Sequence, residues 1–421
     1  MNPSSDRATT HDLGGAIRSI LPSLEQFVRF EGNDPARVRS PWRAALDTRL
    51  PLAGVGRDAV LADLADLVVA NGLRVGHPGF SGWVTTMPTD VGAAADLAQA
   101  VAVPQRWWAT AGNFVDDLAI RWLTELLGFP AGFGGTFTGG GSTANLIGMG
   151  AARQHAGERL GLHPSRDGND GMVEPRVYCS TETHHVVGRA LGVLGLGRRS
   201  LREIPLDRTG TIDVNLLQAA LDEDAAAGRT QVAIVACAGD VNTGRVDPIA
   251  ELARIAGERG IWLHVDGAYG GWGVLDERVR ERFGDLATYD SFAIDPHKWL
   301  AAPVGTGQLS YGTPACWDVR SKSRPGPMTG SGTPPLGLKT PVRHSTSQVW
   351  GHQTSGSTSP RQRGVWLSGQ YCAKSGRMGS RRGSYVTTTA PASSHSGHAP
   401  TIDWNCLLSR FSASAASVID P

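Results

Sequence analysis

Ile261-Trp262-Leu263-His264-Val265-Asp266-Gly267-Ala268-Tyr269-Gly270-Gly271 is an apolar run that ends in a carboxylate and a glycine-rich turn. A run this short suits a buried strand, although length alone leaves a helix open. Its surroundings favour the strand. Upstream, Asp247-Pro248 offers a cap and a first-turn proline for a helix over Ile249–Gly257. Further apolar runs lie at Val177–Cys179, Val232–Ala236 and Ser291–Ile294. Strand, helix, strand at this spacing predicts a largely parallel sheet with helices on its faces. Val115, Leu118, Ala119, Trp122, Leu123, Leu126 and Leu127 recur at helical spacing, and Gly128 with Pro130 stops that helix. No internal repeat is found.

The 421 residues exceed one ordinary domain, and at about 150 residues per domain two to three units are expected. A hydrophobic fraction of 40% and a charged fraction of 19% describe a soluble globular chain with material for a large core. The net charge of +1 carries no field that would recruit nucleic acid or an anionic membrane. No apolar run reaches about 18 residues, so no spanning helix is expected. Met1 to Leu13 lacks the basic-then-apolar layout of a signal peptide. Five cysteines without paired spacing fit a reducing compartment, and the expected location is cytoplasmic.

The average conceals a break. Residues 1–307 carry 28 Lys and Arg against 36 Asp and Glu. Residues 308–421 carry 12 against three, the acids being Asp318, Asp403 and Asp420, and contain no Glu. This stretch is rich in Ser, Gly, Thr and Pro and has no amphipathic periodicity. It buries too little apolar surface to offset chain entropy, so disorder is expected. Three regions follow: an N-terminal helical segment over 1–85, a large domain over 86–307 and a tail over 308–421.

Four segments carry chemistry, each at a strand end or helix start, where ligands collect in open α/β sheets. Thr136-Phe137-Thr138-Gly139-Gly140-Gly141-Ser142-Thr143-Ala144-Asn145 leads into an apolar helical run. Its glycines let backbone amides approach an anion and the helix start adds free N–H groups, though a glycine-rich turn is as often a plain connector. No Lys follows the glycines, so it is not a Walker loop. Ser180-Thr181-Glu182-Thr183-His184-His185 places a histidine that can stack on a flat ring, or sit satisfied in a loop. Asp266 ends an apolar strand and needs a partner, since an unpaired buried charge is costly. A protonated ring nitrogen serves, as does a helix cap or a salt bridge. Ala268 is small enough for a planar ring to lie against it. Asp295-Pro296-His297-Lys298-Trp299-Leu300 follows another apolar run. Desolvation there would favour a neutral Lys298 amine able to form a Schiff base, whereas a lone lysine beside a tryptophan is usually solvated.

Together these make the full set for pyridoxal phosphate: a phosphate cradle, a stacking histidine, an acid for a pyridinium nitrogen and a Schiff-base lysine. They occur in that chain order, with Asp266 thirty-two residues before Lys298. From about His77-Pro78 to Gly307 the chain resembles the group II pyridoxal-phosphate-dependent decarboxylases, which include the aromatic amino acid, glutamate and histidine decarboxylases. HVDGAYGG and DPHKW are the most specific parts of the likeness. The resemblance implies an α/β fold, type I of the PLP-dependent transferases. Its sheet is mostly parallel and seven-stranded, with helices on both faces. The large domain becomes the PLP-binding one, and the small C-terminal domain is missing or scrambled here.

Residue by residue, the resemblance makes Lys298 the internal aldimine lysine and His297 a phosphate ligand. Asp266 becomes the ring-nitrogen partner, Ala268 the residue beneath the ring, and His184 the stacking histidine. Gly141 and Ser142 match the phosphate loop. Ala238 to Gly244 match a cofactor-adjacent turn, in which Val241 stands where many members have Thr and Thr243 is a replacement. Asp295, also beside the cofactor, stands where aromatic-type members often have Asn. The implied activity is decarboxylation of a small-molecule L-amino acid to the amine and CO2 in a homodimer. Lys298, His184 and Asp266 are its catalytic residues, and no metal is involved. A carbon–carbon lyase or an aminotransferase on the same fold is the alternative. His77, Phe80 and Met87 lie where the family builds its substrate wall. They lean toward an aromatic or aliphatic substrate over glutamate; Trp107 and Trp108 either line an aromatic pocket or, as buried tryptophans more often do, sit in the core.

The tail reads as out of frame. Joining the third base of each codon to the first two of the next, Gln308 onward permits Ala-Phe-Val-Arg-Asp. Gln370 to Gly376 permits Val-Leu-Arg-Glu-Ile-Gly, and Ser384 to Thr388 permits Val-Arg-Asp-Asn-Asp. Each is family-like, so residues 308–421 are expected to be a frameshifted C-terminal region, and the literal chain an inactive product.

Overall fold

In the computed structural model, which describes residues 12–30, 42–102 and 111–312, Trp262–Asp266 forms the middle strand of a seven-stranded sheet. The strands are β1 (Gly134–Thr138), β2 (Arg176–Ser180), β3 (Leu201–Ile204), β4 (Gln231–Cys237), β5 (Trp262–Asp266), β6 (Ser291–Ile294) and β7 (Gly307–Tyr311). Their spatial order is β1-β7-β6-β5-β4-β2-β3. β6, β5, β4, β2 and β3 pair in parallel, and β7 alone runs against its neighbours β1 and β6.

Side chains alternate across this sheet with the two-residue period of a strand. Val177, Cys179, Ala233, Val235 and Trp262 pack in one core, beneath α6 (Gly141–Arg159) and α8 (Val186–Val193) of the helices named below. Tyr178, Ile234, Ala236, Leu263 and Val265 enter the other core. With both faces covered, β2, β4, β5 and β6 are largely apolar runs, which is why the sequence exposes them. The helices are, in chain order, α1 (Leu13–Arg29), α2 (Trp42–Leu46), α3 (Arg57–Asp63), α4 (Asp90–Ala102), α5 (Ala111–Leu127), α6, α7 (Pro164–Asp167), α8, α9 (Val214–Ala226), α10 (Ile249–Arg259) and α11 (Pro296–Trp299). Leu123 and Leu127 of α5, Leu217 of α9 and Leu252 of α10 fill the second core. As predicted, α5 stops at Gly128, whose φ of +85° favours glycine.

Three features differ from the sequence expectation. β1, β3 and β7 carry too few apolar residues to show as runs. Asp247 does not cap α10; the cap position is Pro248, and the Asp247 carboxylate instead takes the amides of Ile212 (3.0 Å) and Cys237 (2.8 Å). β7 also continues to Tyr311, so the sheet takes in four residues beyond the boundary drawn at 307. Trp107, Trp108 and residues 313–421, most of the tail, lie outside the described residues. Among those described, no helix is long and apolar enough to cross a membrane.

Candidate active site

Lys298 is placed by the way β6 ends. The strand is fully buried, and Pro296 opens the single turn α11 in which Lys298 sits. Lys298 Nζ lies 3.0 Å from Asp295 Oδ2. Asp295 is 2% exposed, and its other oxygen, Oδ1, is buried without a hydrogen-bond partner. Burial raises the Asp295 carboxyl above its ordinary value; the Lys298 ammonium opposes the rise and the Asp266 carboxylate adds to it. Trp272 Nε1 donates to the Asp295 carbonyl at 3.0 Å and holds the peptide that leads into the turn. The Thr86 hydroxyl donates to the His297 carbonyl at 3.1 Å. His297 Nδ1 lies 2.7 Å from the Thr306 carbonyl. A carbonyl only accepts, so Nδ1 carries the proton, while Nε2 lies 3.9 Å from Asp295 Oδ2.

The glycine-rich turn packs directly on this lysine turn. Gly140 has a φ of +115°, a conformation glycine adopts without strain. A Cβ on Gly141 would meet Asp295 Oδ2 at 2.8 Å and Ala268 Cβ at 2.9 Å, and one on Gly140 would come within 3.6 Å of His297 Cε1. One on Gly307 would lie 2.6 Å from Gly140 Cα. Only glycines allow this approach. The first amides of α6, at Gly141 and Ser142, have no carbonyl one turn earlier and lie at the positive end of a long helix.

Asp266 ends β5 at 9% exposure. Its Oδ1 accepts the Ala268 amide at 3.1 Å, and Oδ2 has no donor among the described residues. His184, in the loop after β2, keeps solvent access, and its ring lies 4.2 Å from that of His185 at a tilt of 33°. Crowding of its ring and the neighbouring His185 lower its pKa, with Asp266 pulling the other way and Lys298 adding to the fall. His184, Asp266, Asp295 and Lys298 thus share one electrostatic neighbourhood.

The loop after β4 reaches the same edge, where a Cβ on Gly239 would lie 2.6 Å from Gly270 Cα. Its side chains are arranged differently from the expectation. Val241 is 48% exposed. The Thr243 hydroxyl donates to Asp240, whose carboxylate also takes the amides of Asn242, Thr243 and Arg245. The Thr243 hydroxyl is thus engaged within its own loop. Sequence reasoning also gave no role to Thr86, Trp272, Asn145 and His264. The last was visible as a polar residue inside an apolar strand.

Pyridoxal phosphate fits these residues. The cofactor needs an amine anchor, a carboxylate for its ring nitrogen, a small residue against the ring and amide donors for its phosphate. Lys298, Asp266, Ala268 and the α6 N-terminus would supply them. The orphaned Asp295 Oδ1 and the side-chain-free cradle at Gly140-Gly141 mark where a ligand completes the structure.

Comparison with known proteins agrees. Residues 43–312 match the pyridoxal-dependent decarboxylase conserved domain. Aromatic-L-amino-acid decarboxylase of Bacillus atrophaeus is 36% identical over 237 residues, which are 56% of this chain and 47% of that protein. L-2,4-diaminobutyrate decarboxylase of Rhizobium meliloti is 31% identical over 266 residues, 62% of this chain and 51% of the relative. The chain thus spans about half the length of these curated relatives. Among solved structures, the glutamate decarboxylase domain of the Vibrio parahaemolyticus diaminobutyrate-pyruvate transaminase and L-2,4-diaminobutyrate decarboxylase superposes with a TM-score of 0.68 at 23% identity, covering 75% of this chain and 70% of that one. Oryza sativa TDC with PLP and tryptamine gives 0.66 at 23% identity, covering 73% and 68%. With that fold and the domain match over most of the described residues, the chain belongs to the pyridoxal-dependent decarboxylase family.

Proposed function

We propose that this chain serves the pyridoxal-phosphate-dependent decarboxylation of an L-amino acid, releasing the amine and CO2. The observation that carries the reading is the packing of the Lys298 turn, its Asp295 partner and Ala268 against the first residue of α6. When bound, pyridoxal phosphate supplies an electron sink for the bonding pair left behind as CO2 departs. Lys298 Nζ is the anchor, and Asp295 Oδ2 holds it in place. Asp266 keeps a proton on the ring nitrogen. Ala268 leaves room on one side of the ring, and His184, neutral near pH 7 because its pKa is lowered, is the stacking group. The Gly141 and Ser142 amides and the His297 side chain bind the phosphate. Val241, though exposed, lines the cofactor edge.

The segment bearing Phe80 and Met87 is tied to the lysine turn through Thr86. An apolar wall there supports an aromatic or aliphatic amino acid as substrate. A homodimer belongs to the same proposal. α1 exposes Leu13, Leu21, Leu24 and Val28, and α4 exposes Val91, Leu97 and Val101, more apolar surface than a helix keeps in water without a cover.

Borohydride reduction and peptide mapping test the assignment. A pyridoxyl label is expected on the peptide spanning 290–300 and is expected to vanish in Lys298→Ala; no label in the unmodified chain ends the reading. An amine-release screen over the amino acids then identifies the substrate, and aldehyde or oxo-acid products turn the assignment to a lyase or an aminotransferase.

One observation favours a second reading, in which the gene's frame is shifted after Gly307 and the chain as it stands is an inactive descendant of a decarboxylase. β7 is an interior strand, yet it buries Gln308 with Oε1 unpartnered. Such an orphan costs about 1–3 kcal/mol. The composition break falls at the same residue, and the family match stops at 312. The shifted frame permits Ala there, which carries no polar atom to bury. Sequencing the gene across codons 305–310 decides: an uninterrupted frame removes this reading.

A further inference from the structure

Beneath the start of α6 lies a line of fully buried polar side chains. Trp262 Nε1 is 2.8 Å from Ser291 Oγ, and Ser291 Oγ is 2.8 Å from His264 Nδ1. His264 Nε2 is 3.0 Å from Asn145 Oδ1, and Asn145 Nδ2 is 2.9 Å from the Gly141 carbonyl. Trp262 is 1% exposed and Ser291, His264 and Asn145 are 0% exposed.

The chemistry of each atom fixes the protons. The Gly141 carbonyl accepts, so Asn145 Nδ2 donates and its Oδ1 is an acceptor. His264 Nε2 therefore carries a hydrogen, which makes Nδ1 an acceptor in the neutral ring. Ser291 must then donate to Nδ1 and accept from the indole N–H, which can only donate. Every hydrogen points the same way, from Trp262 to the Gly141 carbonyl. Such aligned chains reinforce one another in a low-dielectric interior. Burial drives the His264 pKa down to about 4, consistent with a neutral ring. The helix is shaped to this ring: a Cβ on Gly148 would lie 2.6 Å from His264 Cε1.

The relay ends at the first residue of α6, whose amide end is the proposed phosphate site. It begins four residues before Asp266, and its His264 lies two before, on the same face of the same strand. We propose that the Trp262–Ser291–His264–Asn145 relay is a positioning device that fixes the height and rotation of the α6 N-terminus over the Asp266 strand, and so sets phosphate recognition. This rests on the pyridoxal phosphate assignment above. His264 touches neither cofactor nor substrate in this scheme; it acts through Asn145.

The phosphate increment isolates the role. Pyridoxal 5′-phosphate and pyridoxal are titrated separately into the full chain, with tryptophan fluorescence giving each Kd. The unmodified chain is expected to prefer the phosphorylated form. His264→Phe keeps a ring but no hydrogen bonds, and should cut that preference about tenfold while leaving the pyridoxal Kd unchanged. His264→Gln, which still donates to Asn145 and accepts from Ser291, should restore most of it. If His264→Phe does not fold, Asn145→Ala and Ser291→Ala break the relay elsewhere, and the same loss is expected. Folded variants that keep the full preference overturn the relay, as do variants that weaken both ligands equally, which is the signature of general damage. An unmodified chain without any preference for the phosphorylated form overturns the cofactor assignment itself and the relay with it.

Discussion

At the scale of single residues, the decisive features are polar atoms buried where they must be matched one by one. Asp295 gives one oxygen to Lys298 and leaves the other orphaned. Asp247 shows the opposite case: burial pushes its carboxyl up, but two backbone amides occupy both of its oxygens, so its role is structural. His264 links burial to acid stability. Its folded pKa is lowered from 6.5 to about 4. Between those values the unfolded chain binds more protons than the folded one. The stability that a neutral His264 supports is therefore fully present above pH 6.5 and is lost as the pH falls toward 4. The loss amounts to about 3 kcal/mol. Thermal melts over this range should show the unmodified chain falling away from His264→Gln, which does not titrate; parallel curves would contradict the neutral buried ring.

At the scale of elements, α6 does the most positioning. Gly141, Ala144, Asn145 and Gly148 are buried along one side of it, and each has a matching feature beneath. Small residues bring the helix axis close to β5 and β6, and the first turn rests on Ala268 and Asp295. Gly141→Ala inserts a methyl group within 2.8 Å of Asp295 Oδ2. The overlap should cost about 1–3 kcal/mol, read by urea unfolding. The same change should weaken pyridoxal 5′-phosphate binding, because the first turn must lift to make room. An alanine accommodated with no loss of stability would show that the packing is looser than described. The neighbouring α10 runs two residues past the predicted Gly257 and ends at Gly260, which adopts a φ of +63°, with the Ile261 amide returning to the Ala256 carbonyl.

At the scale of the whole molecule, the sheet joins strands distant in sequence. β1 pairs with β7 from Gly134↔Tyr311 to Thr138↔Gly307, which sets the glycine-rich turn beside the lysine turn. The exposed apolar faces of α1 and α4 call for a cover that the described part of one chain does not provide. Sedimentation is expected to give a dimer, and Leu21→Glu with Leu24→Glu to shift it toward monomer; a monomer at micromolar concentration would remove the homodimer from the proposal. The orphaned Gln308 belongs to this scale too, because its cost arises only from β7 being enclosed on both sides.

Sequence alone determined what is local. β2, β4, β5 and β6 were legible because burial on both faces makes a strand uniformly apolar. The candidate cofactor residues stood out because pyridoxal phosphate chemistry demands particular residue types at strand ends, each with its own short signature. The tertiary structure decided what depends on partners far along the chain. It paired β1 with β7, turned Asp247 from a helix cap into a loop clasp, kept the Thr243 hydroxyl within its loop, and joined His264 to an asparagine 119 positions away. A residue type advertises what it can bond to, but the identity of its partner is set by which backbone segments are brought together. That is decided by the packing of the entire sheet.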